Sequence, residues 1–271
     1  MSALRSRARL LVAALLVVPL LAVPLLGSPA SAGTPYVVTL TASRTTVTYG
    51  GAVTLRGKVS PAADEQRVQV QRRIGSGAWT TITSPRLSGS STYAVTTTPT
   101  KGRTSYRVVK AASRGHAADV SPVALVKAWR WRTLAGVAPV TSNDVRMGTF
   151  EQKGFTHGRG VALGDGGYVE WRVAAWRCTR VRAVVGVAGT SPDLTTFNAE
   201  MSWNEDGGDD LSDAEFSFRA YDSPRLFQME NRSAGVIADD TVLFEAYRVD
   251  GNPPSSSARL VFASPAVYCN S

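Results

Sequence analysis

The stretch TVTYGGAVTLRGKVS (Thr46–Ser60) decides the fold class. Val53, Leu55 and Val59 fall on alternate positions, with Thr54, Arg56 and Lys58 between them and Gly57 holding the phase. A period of two belongs to a strand with one buried face. Gly50-Gly51 marks the turn before it. The pattern repeats outward. Tyr36 to Ala42 alternates threonine with aliphatics, and Val68, Val70 and Ile74 define a strand that Gly75-Ser76-Gly77 turns into Trp79 to Ile82. Tyr93 with Val95, Tyr106 with Val108, and Val123 to Val126 follow. No helical periodicity lasts three turns, so residues 34–127 read as an antiparallel β-sandwich.

Residues 128–271 read as a second all-β unit, large enough for a jelly roll. Tyr168 to Val173, Val181 to Val187, Glu215 to Tyr221, Leu226-Phe227, Val242 to Val249 and Leu260 to Phe262 are its strands. The glycines crowded from Gly148 to Gly167 predict a loop-rich stretch. Trp129 and Trp131 share one face of a strand, either as packing or as an aromatic binding surface. The border from Val126 to Trp131 has no Pro/Gly linker, which predicts a rigid junction.

Residues 1–32 carry the marks of an export signal. Arg5, Arg7 and Arg9 precede an apolar run, Leu10 to Leu26, and Ala30-Ser31-Ala32 supplies a small-residue cleavage site. The run holds Pro19 and Pro24 and is shorter than the roughly 20 residues of a membrane span. A secreted or extracellular protein beginning at Gly33, free or retained at the cell envelope, is the expectation. In that compartment the two cysteines, Cys178 and Cys269, are expected to form a disulfide.

Charge divides unevenly. Residues 34–127 hold 13 Lys/Arg against 3 Asp/Glu, and residues 128–271 hold 14 against 18. The basic half either offers a solvated surface that docks on the acidic half or holds an anionic wall polymer. Nucleic acid is not expected, because the basic residues form no block and lack interleaved aromatics.

Three segments of the first unit resemble bacterial Ig-like domains common on exported actinobacterial proteins: TVTYGGAVTLRGKVS, VQVQRRIGSGAWTTI (Val68 to Ile82) and SYRVV (Ser105 to Val109). The resemblance implies a spacer or adhesive module, with Tyr106 at the place of a corner tyrosine. The antibody-type disulfide is missing, since this half has no cysteine. In the second unit KGFTHGRGVAL (Lys153 to Leu163), YVEWRV (Tyr168 to Val173), RVRAVVGVAG (Arg180 to Gly189) and AEFSFRAYDSPRLF (Ala214 to Phe227) resemble, in that order, segments of NPCBM-type carbohydrate-binding modules, a galactose-binding-like sandwich family. The chain departs from that family after Val187, where Ala188-Gly189-Thr190 replaces the usual aspartate.

The resemblance implies a glycan site. A sugar is held by an aromatic face and a few polar groups, and His157, Arg159, Glu170 and Trp203 are the candidates. Each has a plainer reading: packing for Trp203, a turn hydrogen bond for His157, a surface pair for Arg159 and Glu170. In the loop EDGGDDLSDAE (Glu205 to Glu215), Asp206, Asp209 and Asp210 are candidate calcium ligands; a solvated acidic loop is the alternative. No cofactor is otherwise implied. Two histidines in different units, and no G-x-S-x-G elbow, H-E-x-x-H helix or phosphate loop, argue against an enzyme. The expected function is non-catalytic recognition of a polysaccharide or envelope glycan by the C-terminal sandwich, with the Ig-like unit as spacer. The alternative is a cell-surface structural or protein-interaction protein without a sugar ligand.

Overall fold

The computed structural model describes residues 33–100, 102–204, 210–231, 241–253 and 255–270. Residues 1–32, read as the export signal, lie outside them. The described chain is all-β, and its helical content is a single 3-10 turn at Ala174–Trp176. The strands in order are β1 (Val37–Val38), β2 (Thr41–Ala42), β3 (Thr46–Thr48), β4 (Val53–Ser60), β5 (Gln69–Ile74), β6 (Thr80–Thr83), β7 (Thr92–Thr97), β8 (Arg103–Lys110) and β9 (Asp119–Val120). They continue with β10 (Ala124–Thr133), β11 (Thr141–Gln152), β12 (Phe155–Arg172), β13 (Cys178–Val187), β14 (Thr196–Asn204), β15 (Asp210–Arg219), β16 (Arg225–Glu230), β17 (Thr241–Arg248) and β18 (Leu260–Cys269).

In the first sandwich, β1 and β2 run along one side of β4 and β7 along the other. The facing sheet is β3–β10–β8–β5–β6, with β3 parallel to β10. Val53, Leu55 and Val59 are buried, as their alternation predicts, and pack with Val70, Tyr106, Val108 and Val126. Gly57 is required by close approach. A Cβ there would lie 2.0 Å from Thr39 O and 2.4 Å from Tyr93 Oη. The bare backbone lets the Tyr93 hydroxyl donate to Thr39 O at 2.5 Å. Tyr106 is wholly buried in this core.

In the second sandwich, β15–β14–β17 and the last third of β12 form one sheet; the middle of β12, β18, β13 and β16 form the other. β11 and β12 belong to both. Thr141–Asn143 pair with Tyr168–Glu170 in the first sheet, and Val145 to Gln152 pair with Phe155–Leu163 in the second. The strands change sheet at Asp144 and Gly164–Gly167, a corner of the kind bulges and glycines make. A Cβ on Gly164 would lie 1.7 Å from Asp144 Oδ2. Arg259, its side chain only 9% exposed, braces this corner by donating from Nη1 to Asp144 O and Oδ1 at 3.0 and 2.5 Å.

The glycine-rich stretch 148–167 is therefore a long hairpin rather than a loop region. Its turn is Lys153-Gly154, with φ of 44° and 76°; two residues at positive φ match the twist of the flanking strands. Gly160, Gly164 and Gly167 answer close approach, and the ladder shifts register at the corner and again at Gly158 without ending the strand.

Trp171, Trp203, Phe197, Phe244 and Phe262 fill the second core, with Phe244 and Phe262 stacked across the two sheets at 4.7 Å. Cys178 and Cys269 are bonded, as expected, between neighbouring strands β13 and β18. At the far end of β17, Asp250 accepts from Arg248 Nε at 2.8 Å and from the backbone of Thr196 and Asn252, each at 2.9 Å. The Arg248 guanidinium, and then these amides, hold its carboxyl down at about 2.

One strand serves both sandwiches. Ala124–Lys127 of β10 pair with β8, and Arg130–Thr133 pair with β18. The backbone thus passes from one ladder to the next without a linker. No helix among the described residues is long and apolar enough to cross a membrane.

Candidate functional site

The outer face of β10, β18 and β13 carries a row of aromatics. Val267 and Cys269 of β18 point into the core, so Tyr268 between them points out. Trp131 pairs with Tyr268 in register, and Arg180 of β13 lies opposite it on the other side. Trp129, two residues before Trp131, takes the same face. The rings form a continuous row: Trp129 and Tyr268 stack with centroids 5.5 Å apart, and Trp131 and Tyr268 lie 5.2 Å apart. All three are half-buried, so part of each ring meets solvent.

Guanidinium groups rim the row. Arg182 sits over Trp131 at 4.0 Å and Arg180 over Tyr268 at 5.7 Å. Arg180 Nε also pairs with Glu230 Oε1 at 2.9 Å. Stacking on a ring reduces the freedom of a long side chain and leaves its N–H edges in a fixed direction. At its other end this face is closed by the β11–β12 hairpin, whose Phe150 packs on Ala162, Ala188, Val261 and Ala263. The buried Gln152 amide donates to Gly186 O at 2.9 Å and Val261 O at 3.0 Å.

The opposite outer face of the same sandwich is acidic. Glu170 alternates with buried Val169 and Trp171 and so faces outward. Glu215, Glu200 and Glu245 lie side by side across β15, β14 and β17.

These placements sort the residues expected from sequence. His157 and Arg159 lie two apart at the start of β12, opposite Phe150 and Thr149. His157 is half-buried, with Nε2 enclosed and without a hydrogen-bond partner, and Arg159 is exposed. Glu170 lies beyond the Gly164–Gly167 corner, in the other sheet. Trp203 has no exposed surface and packs in the core. The structure therefore keeps His157 and Arg159 on one hairpin, apart from Glu170 and Trp203, but the register shift between Thr149 and Phe150 sets the two opposite consecutive residues of β11 and so on opposite faces. Of the candidate calcium ligands, Asp206 and Asp209 lie outside the described residues. Asp210 opens β15 opposite Asn204. No group of three His, Cys, Asp or Glu able to hold a metal occurs among the described residues.

Sequence reasoning placed Trp129 and Trp131 on one face. It did not find Tyr268, Arg180 or Arg182, because β18 and β13 meet β10 only through long-range pairing.

The chain matches no known family model and no curated protein sequence. Among solved structures it is similar to the CBM51-2 and INT domains of ZmpB from Clostridium perfringens, with a TM-score of 0.41 and 7% identity over 62% of this chain and 38% of that one. A structure of the M60 catalytic domain with the CBM51-1 and CBM51-2 domains of the same protein gives a TM-score of 0.39 and 12% identity over 87% and 31%. TmCBM61 in complex with β-1,4-galactotriose gives 0.33 and 8% over 53% and 88%. The chain spans well under two thirds of the first two structures. At TM-scores below 0.5, no function is carried over from these likenesses.

Proposed function

We propose that the protein is a secreted, non-catalytic glycan-binding protein whose second sandwich, residues 128–271, holds the sugar. In this reading residues 1–32 direct export, and the first sandwich, residues 34–127, holds the second at a fixed angle. The observation that carries the proposal is the row Trp129–Tyr268–Trp131, partly exposed and rimmed by Arg180, Arg182 and Glu230. A pyranose presents an apolar C–H face to an aromatic ring and hydroxyls to charged hydrogen-bonding groups at the rim, and this surface offers both. His157, opposite Phe150 on the β11–β12 hairpin, is a second polar contact point. Trp203 serves the core.

A glycan array with the purified protein in calcium tests this. A selective, saturable hit that weakens about tenfold or more in Trp131→Ala and in Tyr268→Ala, with the fold unchanged, supports the proposal. A blank array with folded protein refutes it and shifts the search to a protein partner.

A further inference from the structure

A cleft of about 750 Å³ opens where the two sandwiches meet. Arg73 of β5, Arg103 and Ser105 of β8, Val123 just before β10 and Leu125 within it line it from the first sandwich; Arg177, which follows the 3-10 turn, enters from the second. No carboxylate is among the described residues that line it. Three guanidinium groups thus face one space with no counter-charge among the described residues of its walls. Arg73 stacks on Trp79 at 4.7 Å, with Arg107 on the same ring at 4.3 Å, and its Nε is buried without a hydrogen-bond partner. A guanidinium N–H removed from water and left unmatched is costly.

Val123 and Leu125 add apolar surface to the lining. Leu125 lies on the same face of β10 as Trp129, four residues on, a distance of roughly 13 Å at the rise of an extended strand. The cleft and the aromatic row are therefore two stations on one strand face.

We propose that the cleft binds a carboxylated polysaccharide, a polyuronate whose carboxylates pair with Arg73, Arg103 and Arg177 while its rings cover Val123 and Leu125. Arginine matches carboxylate through two parallel N–H···O bonds, and a polyuronate presents one such group per ring on a chain with apolar C–H faces. The site rests on the glycan-binding reading and names its ligand class. It also needs both sandwiches, because Arg177 comes from the second and the other two arginines from the first.

The test is binding of polygalacturonate to the purified protein by titration calorimetry. Neutral dextran, dextran sulfate and single-stranded DNA are run beside it, and Arg103→Gln, Arg177→Gln and Trp131→Ala are compared with the parent. Arg103 and Arg177 are exposed, so glutamine is tolerated, and unchanged thermal unfolding confirms the fold. Polygalacturonate is expected to bind in preference to the other three polymers. Each arginine variant weakens it about fivefold or more, and raising the salt weakens it further. Equal or tighter binding of dextran sulfate or DNA overturns the proposal, as does unaltered binding by Arg103→Gln and Arg177→Gln. If an array finds a neutral glycan that Trp131→Ala abolishes while polygalacturonate fails to bind, the cleft proposal falls and the aromatic-row reading stands. If polygalacturonate binding depends on the arginines but not on Trp131, the cleft proposal stands and the row is not the sugar site.

Discussion

Replacing Trp203 by alanine separates core packing from ligand contact. The indole is wholly buried and occupies a row across β14, β17 and β12 with Val242 and Trp171. Removing it deletes the apolar transfer term of the side chain and leaves a cavity that strands held by ladder hydrogen bonds on both sides close poorly. A loss of about 3–5 kcal/mol is expected. For a unit of this size that corresponds to a fall in melting temperature of roughly 6–20 °C. Trp131→Ala removes a half-exposed ring and its stacking, about 1 kcal/mol. The assay is differential scanning calorimetry of both variants and the parent under non-reducing conditions, followed by glycan binding well below each midpoint. The expected pattern is a large stability loss with binding retained for Trp203→Ala, and the reverse for Trp131→Ala. A Trp203→Ala protein within 1 kcal/mol of the parent, yet deficient in binding, would place the indole at the surface and refute the reasoning.

Gly164→Ala is expected to destabilise by about 2–4 kcal/mol, because the new methyl displaces the Asp144 carboxyl and leaves the enclosed Arg259 guanidinium short of its partner; a urea midpoint equal to the parent's would contradict this. The Asp250 carboxyl, held at about 2 in the fold against an ordinary value of 3.8, contributes stability that is complete above about pH 5 and lost as the pH falls through 4 towards 2. Asp250→Asn should therefore be less stable than the parent at pH 7 and converge with it near pH 2, as followed by urea unfolding; a gap constant with pH would argue against the network. Opening the disulfide, by reductant or by paired serine substitution, frees a loop of 91 residues and should cost about 4 kcal/mol; a melting temperature unmoved by reductant would show that the bridge does not restrain the unfolded chain.

Strand identity was legible wherever alternation was strict, as at Val53–Val59 and Tyr168–Val173, since a period of two survives without knowledge of the partner strand, and Val181–Val187 was legible as an apolar run. The hairpin over residues 148–167 was not. Its glycines read as loop signals, whereas Gly160, Gly164 and Gly167 relieve close contacts within a strand that bends and continues. Burial of Trp203 was ambiguous for a related reason: alternation tells which residues share a face, and only the pairing of β14 with β17 decides which face is inside. The aromatic row was half visible. Trp129 and Trp131 declared themselves by spacing, but Tyr268 joins them across more than a hundred residues. The arginines of the cleft come from separate strands of two sandwiches, and nothing in the local sequence links them.

The shared strand β10 bears on how such a protein can be rearranged. Two domains joined by a flexible tether can be recombined with new neighbours, because each carries all of its own hydrogen-bonding edges. Here the sequence border falls inside a strand, and a break between Lys127 and Ala128 would deprive each sandwich of part of a ladder. Inserting one residue there would be no gentler, since a slip of one position turns every following side chain to the opposite face and would carry Trp129 and Trp131 together off the face they share with Leu125. The unit that can be inherited, transplanted or engineered intact is therefore the pair.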